Sequence, residues 1–144
     1  MTSNADRAAI LVRALTAGVT GDRDALAQLC TPDVKAWTPA LAGSSLSEVV
    51  ALLERRDDAF SNVELDVTPL DVGGELACAE WSVTMSHTGS LSLGDRGVVE
   101  PTGLQITVNG VTVAEFQGEQ ICSVRQYWDE LTVFDQLGLL SEGP

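Results

Sequence analysis

The 144-residue sequence holds one histidine, three cysteines and eight lysines and arginines against 21 aspartates and glutamates. Each scarcity excludes something. Cys30, Cys78 and Cys122 lie far apart with no CxxC among them, and His87 is the only histidine to join them, so no metal site of the usual spacing can be assembled. An odd number of dispersed cysteines makes no disulfide framework either, and all three read as small core hydrophobes. No Gly-rich phosphate loop and no nucleophile elbow occurs, so no cofactor is expected. The net charge of -13 is spread from Asp6 to Glu142 without an acidic run. Such a surface repels phosphate backbones and anionic headgroups, which argues against nucleic acid and against a membrane as partners. Long hydrophobic runs are missing as well. "MTSNADRAAILVRAL" carries Asp6, Arg7 and Arg13 inside its apolar periodicity and fits neither a signal peptide nor a spanning helix, so the expected location is cytoplasmic.

What is present is one domain's worth of chain, residues 1–144, long enough to bury about two-thirds of its unfolded surface. Ala8, Ile10, Leu11 and Leu15 recur at helical spacing and predict a helix from Asn4 to Ala17, stopped by Gly18. A shorter helix starts near Asp22, carries Leu26, Leu29 and Cys30 on one face, and ends at Thr31-Pro32. The extended piece "DVKAWTPA" follows. Ser44-Ser45-Leu46-Ser47-Glu48 supplies a hydroxyl cap with an acid in the first turn, and Val49, Leu52, Leu53 and Phe60 continue a third helix over about 46–60.

The period then changes to two. Val63, Leu65 and Val67 alternate with Glu64, Asp66 and Thr68, and four strands are expected at about 62–72, 75–87, 104–116 and 120–130. Turn signals stand at Gly73-Gly74 and around Gly118-Glu119. "HTGSLSLGDRGVVEPTG", between the second and third strands, is too long for a tight hairpin. Helices first and antiparallel strands afterwards indicate an α+β domain in which a curved sheet wraps around the helices.

With this order in place, "SHTG" (86–89), "EPTG" (100–103), "GEQI" (118–121) and above all "YWDELTVFDQLGLL" (127–140) make the chain resemble the SnoaL-like branch of the nuclear-transport-factor-2-like superfamily. The likeness spans nearly the whole chain. It implies a cone-shaped fold, three N-terminal helices on a curved, mainly antiparallel sheet, with a deep apolar pocket and usually a homodimer. Polyketide ring closure, isomerisation, epoxide opening or no known reaction occurs in such proteins. The implied ligand is a hydrophobic polyketide- or terpenoid-like compound. Ring-closing members carry an acid-base Asp and a helper His on the pocket face of the last hairpin. Those positions are Gln126 and Thr112 here, and a glutamine takes no proton at neutral pH. The missing acid favours an alternative, a non-catalytic ligand-binding or dimeric interaction protein on the same fold.

Strand alternation sorts the last hairpin into faces. With the turn centred on Glu119, Cys122, Val124, Gln126 and Trp128 share the pocket face with Gly110, Thr112, Ala114 and Phe116. Ile121, Ser123, Arg125, Tyr127 and Asp129 then share the outer face with Val111, Val113 and Glu115. A turn centred half a residue earlier would exchange Glu115 to the other side. The outer row Val111, Val113, Ile121 and Tyr127 is apolar enough to suggest a homodimer through the convex face.

Candidate chemistry follows from these faces. His87, after Trp81, Val83 and Met85 on one face of its strand, is the natural proton carrier near neutral pH or else a loop anchor. Glu80 and Glu115 sit in apolar surroundings, "CAEWS" and "VAEFQ", as general acids or bases, or as partners of Arg125 or Arg96. Epoxide-opening relatives use an Asp-Arg-Asp arrangement, which Glu80, Arg125 and Glu115 could imitate only if all faced inward. Asp129 is either catalytic or structural, held by Arg125 or capping the C-terminal turn. Trp37, Trp81 and Trp128, with Met85 and Thr112, would line an aromatic-walled cavity, although core filling accounts for any one of them.

Overall fold

Four helices and a curved sheet are seen in a computed structural model that describes residues 4–39, 42–70, 73–93, 95 and 97–140. The first helix, α1 (Asn4–Thr20), runs through Gly18 instead of ending before it. Gly18 lies against Leu53 of the third helix, where a small residue lets the two approach. Arg56 Nη2 donates to the Gly18 carbonyl at 2.8 Å, covering an end group that has no partner within the helix. The stop comes at Gly21, whose φ of 75° is a left-handed conformation suited to glycine.

Side-chain caps start the next two helices, as their sequences indicate. Asp22 Oδ1 accepts from Ala25 N at 3.0 Å ahead of α2 (Arg23–Leu29). Ser45 Oγ accepts from Glu48 N at 3.3 Å ahead of α3 (Leu46–Ala59), while the Glu48 carboxylate reaches back to Ser44 N.

The strands are β1 (Cys30–Trp37), β2 (Ala42–Gly43), β3 (Phe60–Leu70), β4 (Leu76–His87), β5 (Leu91–Ser92), β6 (Val98–Val99), β7 (Gln105–Gln117) and β8 (Gln120–Trp128), before α4 (Glu130–Gln136). Six of them form one sheet in the order β2-β1-β8-β7-β4-β3. All neighbours are antiparallel except β1 and β8, so residues 33–37 of the extended piece belong to a sheet strand and not to a mere connection. The loop after β4 carries its own small hairpin, β5 with β6. This is the expected α+β cone. Two apolar clusters fill its concave side: one holds Leu11, Val34, Ala114, Phe116 and Ile121, the other Phe60, Met85, Ile106, Val108 and Val133.

The expected pairing of the last hairpin holds from Gly110↔Trp128 through Glu115↔Ser123, and then slips. Phe116 pairs with Ile121, leaving Cys122 as the extra residue of a β-bulge. The slip reverses side-chain direction, so Ile121 does not join the outer row but is fully buried in the first cluster. The cysteines divide too. Cys30 is buried, and burial pushes its thiol up to about 11, whereas Cys78 and Cys122 are half-buried. Ile121→Ala should lower stability by about 2–5 kcal/mol, against under about 0.5 kcal/mol for the neighbouring Ser123→Ala. Chemical denaturation checks this, and near-equal losses would contradict the bulge.

Candidate functional site

The middle of the concave wall lies between the two clusters, where β4, β7 and β8 run side by side. Trp81 pairs with Gly110, which pairs with Trp128; one step along, Ala79, Thr112 and Gln126 are aligned in the same way. Glycine is required at 110, because a Cβ there would collide with the six-membered ring of Trp81 and with the carbonyl of Tyr127. Trp81 thus lies flat across β7. Its Nε1 donates to Thr112 Oγ1 at 2.8 Å, and Gln126 Nε2 donates to the same oxygen at 3.1 Å. Trp128 packs edge-on against Trp81, ring centroids 6.2 Å apart.

Thr112 is fully buried, while Trp81, Gln126 and Trp128 are half-buried and face the interior of the cone. A hydroxyl that accepts two N–H donors still has its own proton to give, and donors on its oxygen strengthen that gift. The cluster holds no ionisable group. Its chemistry is that of a neutral hydrogen-bond donor set against an aromatic wall.

Of the other candidates, His87 faces inward at the end of β4, six residues beyond Trp81 and so about 20 Å along the strand. It is fully buried beside Phe60, ring centroids 5.4 Å apart. Thr102 N donates to His87 Nδ1 at 3.2 Å, so Nδ1 is an acceptor and the ring proton sits on Nε2. Among the described residues Nε2 has no partner. The main chain of His87 meanwhile ties down the following loop, through Leu104 O and Gly103 N, each at 2.8 Å. Met85 is buried in the second cluster opposite Ile106.

Four of the candidate residues lie off this wall. Glu80 and Glu115 are on the convex face by strand parity, and Glu115 is paired with Arg125 at 2.7 Å. Arg96, their other expected partner, lies outside the described residues. Asp129 caps α4, accepting from Leu131 N at 3.0 Å and from the Thr132 hydroxyl at 3.0 Å, which occupies both of its oxygens. Trp37 is 46 % exposed and packs at a tilt against Tyr127, ring centroids 5.4 Å apart, so it belongs to the convex side and not to the pocket wall. β1 adds Trp37 beside Arg125 of β8, a pairing that the unexpected parallel strand creates.

Glu130 was not singled out from the sequence. Two residues beyond Trp128, it is half-buried in the first turn of α4. Burial raises its pKa above the ordinary 4.5, and a hydrogen bond from Trp128 pulls the other way. The parity of 126, 128 and 130 was the signal available. A carboxylate whose folded pKa is raised is destabilised in its charged form, so it costs stability as pH rises through that pKa and costs nothing when protonated. Glu130→Gln should therefore melt above the wild type at pH 7, with the gap closing below pH 4.5; an equal or lower melting temperature at pH 7 would contradict the desolvation.

Comparison with known proteins bears on the whole chain. Among curated protein sequences none matches significantly. Solved structures similar in fold include AclR of Streptomyces galilaeus, provisionally named a hydroxylase, at 22% identity and TM-score 0.81, over 99% of this chain and 87% of that one. A protein of Jannaschia sp. CCS1, provisionally named a SnoaL-like polyketide cyclase, aligns at 19% identity and TM-score 0.82, over 95% and 94%. IdmH of Streptomyces antibioticus, provisionally named a polyketide cyclase, aligns at 17% identity and TM-score 0.77, over 92% and 98%. At these identities the structures speak for the fold alone. The sequence model of the SnoaL-like polyketide cyclases, however, matches residues 9–137. With nine-tenths of its length so matched and the cone in place, the chain belongs to the SnoaL-like polyketide cyclase family.

Proposed function

We propose that the chain takes a hydrophobic, oxygen-bearing compound of polyketide or terpenoid type against the Trp81–Trp128 wall and acts on it by acid-base chemistry of its own side chains. Ring closure, isomerisation and epoxide opening all fit. The observation that carries this reading is the buried Thr112 hydroxyl, which receives the Trp81 and Gln126 N–H groups; its own proton is the one we assign to a ligand oxygen. A carbonyl or epoxide oxygen that accepts this proton is polarised, and the adjacent carbon becomes more acidic or more open to attack.

The proton itself must then go to a group that titrates. Gln126 does not; Glu130 beside Trp128 does, and burial makes it a better base than an exposed glutamate. His87, fully buried about 20 Å along the strand, holds its unpartnered Nε2 away from this wall and is the more remote candidate. Glu80 and Glu115, on the convex face, are too far from His87 to serve as its carboxylate partner.

A second reading, ligand binding without turnover, is favoured by one observation: Thr112 and Gln126 are both neutral. Binding and product formation, measured separately over a panel of ketone and epoxide compounds, divide the two. Thr112→Val should weaken binding about tenfold or more. Glu130→Gln and His87→Gln, assayed one at a time, should leave binding within a few-fold, and loss of product identifies the proton carrier. Full product formation by both removes them from the mechanism. Wild-type protein that binds yet forms no product supports the binding reading.

The convex face supports a homodimer. Trp37 and Tyr127 are 46 % and 47 % exposed, and Val111 and Val113 continue the patch beside them. Apolar area of this kind on one sheet face is better covered than left in water. Sedimentation should give a dimer at micromolar concentration that Tyr127→Arg dissociates, and a wild-type monomer would overturn it.

A further inference from the structure

The strand β8 is shorter than its neighbour. Its last pair with β7 is Gly110↔Trp128, so residues 105–109 of β7 run on where β8 no longer pairs with them. The helix α4 takes that place. From Gly110 to Thr107 the strand advances about 10 Å. From Glu130 to Gln136 the helix rises about 9 Å, which brings its end level with Thr107. There Gln136 does what a strand would have done. Thr107 N donates to Gln136 Oε1 at 2.7 Å, and Gln136 Nε2 donates to Thr107 O at 2.8 Å. The second proton of that nitrogen goes to Thr132 O at 3.3 Å, which fixes the amide to its own helix. Only a primary amide both accepts and donates in this way; a carboxylate at 136 would turn an acceptor toward the Thr107 carbonyl.

The anchor matters because α4 has only seven residues, too few to hold a helix without outside contacts. Val133 and Leu137 pack it onto the second apolar cluster, and Asp129 caps its start. Glu130, in its first turn, is half-buried and receives a hydrogen bond from the Trp128 side chain. Where Glu130 sits therefore depends on where α4 is fastened, and Gln136 is the fastening to the sheet.

We infer that Gln136 is a positioning residue of the site: by closing the unpaired edge of β7 it keeps α4 in place, and with it the Glu130 carboxylate against the Trp128 indole. The inference rests on the function proposed above, in which Glu130 takes the proton, and adds the residue that holds it there.

Ligand-free protein is enough to test it. Nuclear magnetic resonance of the side-chain carboxyl carbons follows the Glu130 titration, and amide exchange reports on Thr107. Gln136→Met has a similar length and makes neither bond. In this variant Thr107 N–H should exchange about tenfold faster. The Glu130 midpoint should fall toward the ordinary 4.5, because the lost burial outweighs the lost Trp128 bond. The Trp128 indole signal, which should follow that titration in the wild type, should cease to follow it. Ile121→Val, a mild loss in the first apolar cluster, should change none of the three. If Gln136→Met does not fold, Gln136→Asn, one methylene too short to reach both groups, carries the same test. Faster Thr107 exchange with an unmoved Glu130 titration overturns the inference, since the clasp then stabilises without positioning; unchanged Thr107 exchange overturns it as well. None of these readouts needs turnover. A fall in the Glu130 midpoint supports the clasp even where the wild type forms no product, and absence of product counts only against the proposed reaction.

Discussion

Trp81 is held by three things at once: Gly110 beneath it, the Thr112 hydroxyl at its N–H, and Trp128 at its edge. The concave wall depends on this arrangement. A side chain at 110 would lift the indole off the sheet; the Thr112 oxygen would then lose one of its two donors, and the aromatic surface would lose its fixed orientation. Because all of these groups sit on long, fully paired strands, the wall is preorganised, and little ordering remains to be done when a ligand arrives.

The two faces of the sheet divide the chemistry. Charge that the sequence places on these strands goes to the convex side, where Glu115 and Arg125 neutralise each other in partial contact with water. The concave side carries hydroxyl, amide and indole groups between apolar clusters, with Glu130 at its margin and His87 sealed at its end. Neutral donors in such surroundings bind an uncharged, oxygen-bearing ligand without the desolvation cost that an ion would bring. That division suits a SnoaL-like protein whose acid-base group, if it uses one, is not on the hairpin position occupied by Gln126.

Much of this was legible in the sequence, because it follows from period and parity. Ser45 and Asp22 announced their helices. The alternation of residues 63–68 announced the sheet, and the register through Glu115↔Ser123 put Thr112, Gln126 and Trp128 on the pocket face. Parity misled where the strand is not regular: the bulge at Cys122 turned Ile121 inward, and no residue type there signals a bulge. Partners that come from distant chain were invisible for another reason. Trp37 was placed on the convex side by a parallel pairing with β8 across more than 80 residues, which no local pattern encodes. Asp129 illustrates the reverse case, since an aspartate just ahead of "ELTVFDQLG" reads as a cap and also admits a catalytic acid, and the cap is what the structure has, with both oxygens occupied.

The three tryptophans give the most direct measurement of the central claim, that ligand is bound on the concave wall. Their indole N–H groups are resolvable by nuclear magnetic resonance, and single Trp→Phe variants assign them. On titration with a hydrophobic ketone, the Trp81 and Trp128 signals should shift together with one saturation curve while the Trp37 signal stays in place. A shift of Trp37 with Trp81 and Trp128 unmoved would put the ligand on the convex face and contradict the account.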